Sequence, residues 1–380
     1  MKNIQLNKSK QVLITGGAGF VGSHLADGLL RAGHRVRILD DLTPQVHQDG
    51  SPDYLSPKVE LVVGDVRDPN RLREVLSGVD VIFHFAATVG VGQSMYEISR
   101  YMSINTQGTA ELLQALLDTK HMPEKLIVAS SMSIYGEGQY VCSGCGKAAF
   151  PPVRPVSQLR DGQWEVHCTA CSGVLVPQPT NEKKPSEINS IYALSKRDQE
   201  ELCLIYGRTY GVPVTALRFF NIYGTRQALS NPYTGVAAIF AARLINNQAP
   251  LVFEDGEQMR DFVSVHDIVR ANMLAMERPE SNGEVINVGC GRPIKIRRVA
   301  EILAAALGKD IEPVITQKYR AGDIRHCYAD LTKARKLLGY EPQVTHEEGF
   351  RELAAWLAGQ QAEDKAETML QELSAYGLTA

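Results

Sequence analysis

The chain has 380 residues and carries 40 Lys and Arg against 43 Asp and Glu, a net charge of −3. That balance leaves no electrostatic footprint for nucleic acid, and 44% hydrophobic with 22% charged residues is ordinary for a folded globular protein. No apolar run approaches the roughly 20 residues that cross a bilayer, and the polar Met1–Lys10 lacks a secretory apolar stretch, so a cytoplasmic protein without a membrane partner is expected.

In chain order, strands are predicted at Gln11–Thr15, Arg35–Leu39, Val59–Val63, Val79–Phe85 and Lys125–Ala129. Helices at Gly22–Ala32, Pro69–Leu76 and Tyr101–Lys120 lie between them. Strand–helix alternation with uncharged strands predicts an α/β fold, a doubly wound parallel sheet of Rossmann type. A helix at Tyr192–Tyr210 and a strand at Pro213–Phe220 follow. Beyond them come helices at Pro232–Asn247, Ile296–Leu307, Leu331–Leu338 and Phe350–Leu373, with a strand at Val285–Val288. The expected division is a dinucleotide-binding unit (1–140, 180–225, returning at 262–290) and a smaller mixed α/β substrate unit (226–261, 291–380). Within the first unit, 141–179 is a Cys-rich insertion.

Gly16, Gly19 and Gly22 follow the first strand and open the first helix, with Phe20 and Val21 inside the motif. Glycine lets the backbone turn sharply and approach a pyrophosphate, which the free N–H groups of the helix N-terminus then bind. Asp40 ends the second strand, where an acid binds the adenosine ribose and repels a 2′-phosphate, so NAD is favoured over NADP. Asp41 is an alternative for that role. Asp65, Val66, Phe85, Ala86 and Ala87 follow later strands at the sheet edge where such ligands bind. Tyr192 and Lys196 are four apart, on one face of a helix, and an ammonium beside a phenol favours the phenolate, a general base. Ser131 and Ser133 follow another strand, where a hydroxyl can bond a substrate oxygen.

Taken in order, TGGAGFVGSH (15–24), GDVRD (64–68), HFAA (84–87), SSMSIYG (130–136), YALSK (192–196), RFFNIYG (218–224), RDFVSVHD (260–267) and GDIRHCYADLTKARKLLGYEP (322–342) resemble the extended short-chain dehydrogenase/reductase family. Within it the likeness is to NAD-dependent nucleotide-sugar epimerases and dehydratases. The resemblance implies Tyr192 as base, with Lys196 lowering its pKa and holding the nicotinamide ribose. It implies Ser131 on the substrate hydroxyl, Asn105 as a support from the neighbouring helix, and Asn221, Arg260, Arg320 and Arg325 on the substrate diphosphate. It implies a homodimer through Tyr101–Lys120 and Tyr192–Tyr210.

The 4,6-dehydratases of the family resemble one another in an Asp-Glu after the catalytic Ser or Thr; here those positions are Met132 and Ser133. Neither can protonate a leaving hydroxyl or remove a C5 proton. The expected reaction is therefore 4-epimerisation of a UDP- or dTDP-hexose, with decarboxylation, dehydration or 4-reduction as alternatives. A non-catalytic NAD-sensing module would not need the Tyr–Lys pair. Val89-Gly90-Val91-Gly92 is small and apolar, suited to a pocket in which a sugar turns over. Cys327 stands where UDP-galactose epimerases resemble one another in a bulky Tyr, so a larger or different hexose is expected.

Cys142-x-x-Cys145 and Cys168-x-x-Cys171, with 22 residues between the pairs, offer four soft ligands for a tetrahedral structural Zn. Tyr135 and Tyr192 are 57 positions apart, which puts this zinc-ribbon-like insertion beside the substrate mouth. Similar Cys-rich inserts occur in some bacterial dTDP-L-rhamnose 4-epimerase-like sequences, a pointer to a dTDP-deoxyhexose.

Overall fold

A computed structural model describes residues 9–47 and 50–379. Most of the polar stretch Met1–Lys10 lies outside the described residues. The main sheet has seven strands: β1 (Gln11–Thr15), β2 (Arg35–Asp40), β3 (Glu60–Val63), β4 (Val81–His84), β5 (Lys125–Ser131), β6 (Val214–Phe219) and β7 (Glu284–Val288). Their spatial order is β3-β2-β1-β4-β5-β6-β7 and every pairing is parallel. The order reverses between β1 and β4, so their C-terminal ends diverge and leave a crevice.

The central strands are apolar because both faces are covered, whereas the edge strand β3 is partly exposed. β1 is buried along its whole length. One face packs against helices Phe20–Arg31 and Val265–Glu277, which carry Leu25, Leu29 and Ile268 into the core. The other face packs against Pro69–Leu76, Gly108–Asp118 and Ile191–Tyr210, which carry Leu72, Leu112 and Leu204. Asp68 caps Pro69–Leu76 by accepting from the N–H groups of Asn70 and Arg71. Ser190 starts Ile191–Tyr210 by accepting from Ala193 N–H at 3.1 Å, and Gly211, at φ +74°, ends it.

The chain then builds a smaller layer around the strand Met259–Ser264, which pairs in parallel with Asn221–Tyr223 and His326–Cys327 and antiparallel with Pro293–Lys295. Helices Val236–Ile245, Ile296–Ala306 and His346–Leu357 enclose its core, where Tyr223 stacks on Phe350 at 4.3 Å. The insertion holds three antiparallel strands, Gln139–Cys142, Ala148–Ala149 and Leu175–Gln178, over a core of Tyr140, Val166 and Leu175.

Two expectations need correction. The segment expected as a single helix at Phe350–Leu373 is two helices, His346–Leu357 and Ala366–Ala375, and the first begins in a capping box of Thr345 and Glu348. Within Tyr101–Lys120, residues Met102–Gln107 wind as a π-helix before Gly108–Asp118 continues as an α-helix.

Gly22 fixes the first turn of Phe20–Arg31 against the loop before it. A Cβ there would lie 2.5 Å from Gly17 Cα and 2.6 Å from the Gly16 carbonyl, both backbone atoms. Gly22→Ala is expected to destabilise the chain by about 1–3 kcal/mol, read as a lower denaturant midpoint.

Candidate active site

The crevice opens into a cavity of about 470 Å³. Gly16, Gly19, Phe20, Val21 and Gly22 line one end, with Asp40, Asp65, Val66, Phe85, Ala86 and Ala87 beside them. Gly16 has φ +69°, and a Cβ on it would stand 2.8 Å from the Ala86 backbone. Gly19 differs: its nearest neighbour to a Cβ is the Gly16 carbonyl at 3.5 Å, so the space over it is open. No side chain caps the helix that Gly19 begins, so its first N–H groups are free for an anion. Asp40 Oδ2 accepts from Ala18 N–H at 3.0 Å and Oδ1 from Leu42 N–H at 3.0 Å, which ties the glycine loop to the end of β2. Burial pushes the Asp40 carboxyl above the usual carboxylate range. Asp65 bonds Arg67, which holds its carboxyl low, and so is only partly available for an adenine amino group. A glycine cradle, a free helix N-terminus and acids at the ribose end together fit a dinucleotide.

Ser131, Ser133, Tyr192 and Lys196 line the same cavity farther along. Ser131 ends β5 and accepts from Ser133 N–H at 3.2 Å and Ser133 Oγ at 2.9 Å. Tyr192 sits in the first turn of its helix, where its N–H donates to Ser94 Oγ at 3.0 Å. Burial pushes the phenol up to about 12, with the Ser131 hydroxyl pulling the other way. Lys196 turns inward, donating to the Ala129 carbonyl at 3.0 Å and Gln199 Oε1 at 2.9 Å, and burial pulls its ammonium down to about 7. In the cofactor-free chain the donors of Lys196 are thus turned to other oxygens, and burial and Ser131 are what set the Tyr192 phenol. The ammonium is engaged by neutral oxygens and the phenol is protonated.

Asn105 is buried in the π-helical stretch. Its Nδ2 donates to the Thr88 carbonyl at 3.1 Å and Ser195 Oγ at 2.9 Å, while Thr88 N–H donates to its Oδ1 at 2.8 Å. It braces the loop after β4 against the Tyr192 helix and is not itself part of the lining. Asn221 does line the cavity, and its Oδ1 is buried with no hydrogen-bond partner, an acceptor left for a bound group. Val89, Gly90 and Val91 are in the lining as well.

Four expected substrate residues lie outside that lining. Arg325 is fully buried and spends its guanidinium on Glu165, Glu254 and Asp255, which rules out a diphosphate contact. Arg260 donates to the carbonyls of Met259, Ile324 and Arg325 and pairs with Asp323, so it organises a loop. Arg320, also paired with Asp323, is 36% exposed and keeps donors free. Cys327 is buried with its thiol 3.8 Å from Thr180 Oγ1 and does not shape a sugar pocket.

Several contributors escaped the sequence reading. His84 Nδ1 meets Thr15 Oγ1 and its Nε2 meets Thr109 Oγ1, each at 2.8 Å, and burial drives its pKa to about 3. Gln199 bonds Thr109 at 3.0 Å and so joins this group to Lys196. The signals were a histidine closing an apolar strand and a glutamine three residues after the lysine, on its helix face. Gln227, Asn231 and Tyr233 line the far end of the cavity, in a stretch with irregular periodicity.

The profile of the NAD dependent epimerase/dehydratase family matches residues 12–158, and that of GDP-mannose 4,6 dehydratase residues 171–353. The dTDP-L-rhamnose 4-epimerase of Burkholderia thailandensis is 33% identical over 94% of this chain and 97% of its own. The chain belongs to the NAD-dependent epimerase/dehydratase family. The crystal structure of UDP-glucose 4-epimerase with UDP-glucose from Thermotoga maritima matches with a TM-score of 0.74 and 31% identity, over 92% of this chain and 98% of that one. The UDP-glucuronic acid 4-epimerase of Bacillus cereus, in complex with UDP-glucuronic acid and NAD, matches with a TM-score of 0.75 and 25% identity, over 92% and 99%. The family's chemistry is enzymatic and NAD-dependent, and NAD is the dinucleotide for which the crevice is built.

The buried phenol has a spectroscopic consequence. Tyr192 in cofactor-free protein is expected to ionise only near pH 12. Saturating NAD⁺, by adding positive charge beside the ring, is expected to shift that ionisation down by more than one unit. The check is the phenolate absorbance difference between the native protein and Tyr192→Phe.

Proposed function

We propose that this chain epimerises a nucleoside-diphosphate hexose at C4 through a transient 4-keto sugar, with a UDP- or dTDP-sugar as substrate. One observation carries the reading: Ser131, Tyr192 and Lys196 converge on the dinucleotide cavity, while the positions after Ser131 are Met132 and Ser133, which supply no acid or base for elimination. Bound NAD supplies a reversible hydride acceptor. Tyr192 removes the C4 hydroxyl proton and later returns it, and Ser131 bonds the C4 oxygen throughout. Lys196 turns from Ala129 and Gln199 toward the cofactor ribose, where its charge favours the phenolate. Gly16, Gly19, Phe20, Val21 and Gly22 cradle the pyrophosphate, with Asp40 at the adenosine ribose. The unpartnered Asn221 Oδ1 and the partly exposed Arg320 hold the substrate's nucleotide end. The small Val89–Val91 wall leaves room for the ketose to turn about its diphosphate. A dTDP-deoxyhexose is the favoured sugar, given the likeness to the rhamnose epimerase over 94% of this chain.

A structural Zn in the insertion belongs to the same reading. The sulfurs of Cys142, Cys145, Cys168 and Cys171 lie within 4.8 Å of one another. A tetrahedral Zn with bonds of about 2.3 Å separates its sulfurs by about 3.8 Å, so little adjustment is needed. Gly144 N–H and Cys145 N–H already point at Cys142 Sγ, at 3.3 and 3.4 Å. A reducing cytoplasmic location suits four such thiolates. A homodimer through the Tyr101–Lys120 and Tyr192–Tyr210 helices would cover Leu194 and Ile205, which are 37% and 51% exposed in the monomer.

Incubation with UDP-, dTDP-, GDP- and CDP-hexoses, followed by NMR, is expected to give one C4 isomer and no net NADH; released CO₂ or accumulated NADH would overturn epimerisation. Tyr192→Phe is expected to lose at least about 100-fold in turnover while keeping its NAD. Metal analysis of protein purified without chelator is expected to find one zinc per chain. Cys145→Ser is expected to lose that zinc and make the insertion sensitive to protease.

A further inference from the structure

The insertion is not an isolated module. Arg154, 3% exposed, leaves it and enters the substrate unit. Its Nη2 and Nη1 donate to Glu254 at 2.8 and 3.0 Å, and Nη2 also donates to the Asp323 carbonyl at 3.2 Å. Glu165, from the same insertion, accepts from Arg325 Nε at 3.0 Å, and its other oxygen lies 3.3 Å from His326 Nε2. The loop 320–327 is thus held from the insertion side by two charged residues.

That loop lies outside the cavity lining but touches the start of the Tyr192 helix. Asp323 pairs with Arg320 at 2.8 Å and with Arg260 at 3.3 Å. Gly322 accepts from Asn189 Nδ2 at 2.8 Å, one residue before the Ser190 cap of the Tyr192 helix. A second route runs through Val153 N–H, which donates to Glu187 Oε1 at 3.1 Å; Glu187 N–H in turn donates to the Ile134 carbonyl in the turn after Ser131. The insertion therefore reaches the segments that carry Ser131 and Tyr192 and the loop that carries Arg320.

We propose that Arg154 is a positioning residue, with Glu165 as its counterpart, through which the insertion braces loop 320–327 and so aims Arg320 at the nucleotide end of the substrate. The proposal rests on the nucleotide-sugar reading above. An ion pair buried this deeply is sensitive to loss of one member, because the remaining charge is left uncompensated.

The test compares NAD-loaded wild-type protein with Arg154→Met. Hydrogen exchange at 187–191 and 320–326 is expected to rise at least about tenfold, with β1 and β4 unchanged. UDP and dTDP are expected to bind about tenfold more weakly at unchanged NAD and metal content, and KM to rise far more than kcat falls. A folded variant with unaltered exchange in those segments and unaltered UDP and dTDP affinity would overturn the brace. If Arg154→Met does not fold, Glu165→Gln, at a side chain 40% exposed, gives the same readouts with a smaller expected rise. If wild-type protein binds neither UDP nor dTDP, the nucleotide-sugar reading fails, and the exchange measurement alone decides for or against the brace.

Discussion

A lysine buried without an anionic partner governs this fold's active edge. An interior ammonium must find oxygens or give up its proton. Lys196 finds the Ala129 carbonyl and Gln199, and Gln199 passes the requirement on to Thr109, His84 and Thr15. The hydroxyls and the amide in this chain can donate or accept as needed, so a neutral imidazole fits inside it. The chain of bonds crosses β1, β4 and both helices behind the cavity. The glycine loop and the Tyr192 helix therefore share one internal reference, and their spacing is set before any ligand arrives.

The two halves of the site are organised by different physics. The cofactor half is built from backbone: glycines, a helix N-terminus and strand ends at a point where strand order reverses. The opposite side, outside the cavity lining, is built from buried charge: Arg260 bonds Asp323 and the carbonyls of Ile324 and Arg325, and Arg325 bonds Glu254. Backbone cradles are rigid and tolerant of sequence change around them. Charge clusters are specific but depend on every member. A chain that changes its sugar while keeping its dinucleotide would be expected to vary in the second half and stay constant in the first.

Most of the sheet could be read from the sequence because parallel strands buried on both faces are uniformly apolar, and strand ends coincide with motif residues. Gly16, Asp40, Ser131 and Tyr192 were brought together in the cavity lining because they occupy strand ends and a first helical turn, positions that local pattern defines. Arg325 and Cys327 were not, because their surroundings come from partners distant in sequence: Glu165 is 160 residues from Arg325, and Thr180 is 147 from Cys327. No window of sequence shows that a guanidinium is already satisfied. The protonated state of Tyr192 was hidden for a related reason. Four-residue spacing puts two side chains on one face, but whether they meet depends on what else competes for the ammonium.

The π-helical turn at Met102–Gln107 carries a further meaning. A helix wound this way closes each hydrogen bond over one residue more than its α-helical neighbours do, a rarely used geometry. Removing a single residue from that stretch would regularise the helix and strengthen it as a helix. It would also rotate Asn105 away from Thr88 and Ser195 and release the loop behind the cavity. In lineages of this fold, then, the length of that segment should be guarded more strictly than its composition, and a gap of one residue there would mark a chain that has kept its architecture but abandoned its chemistry.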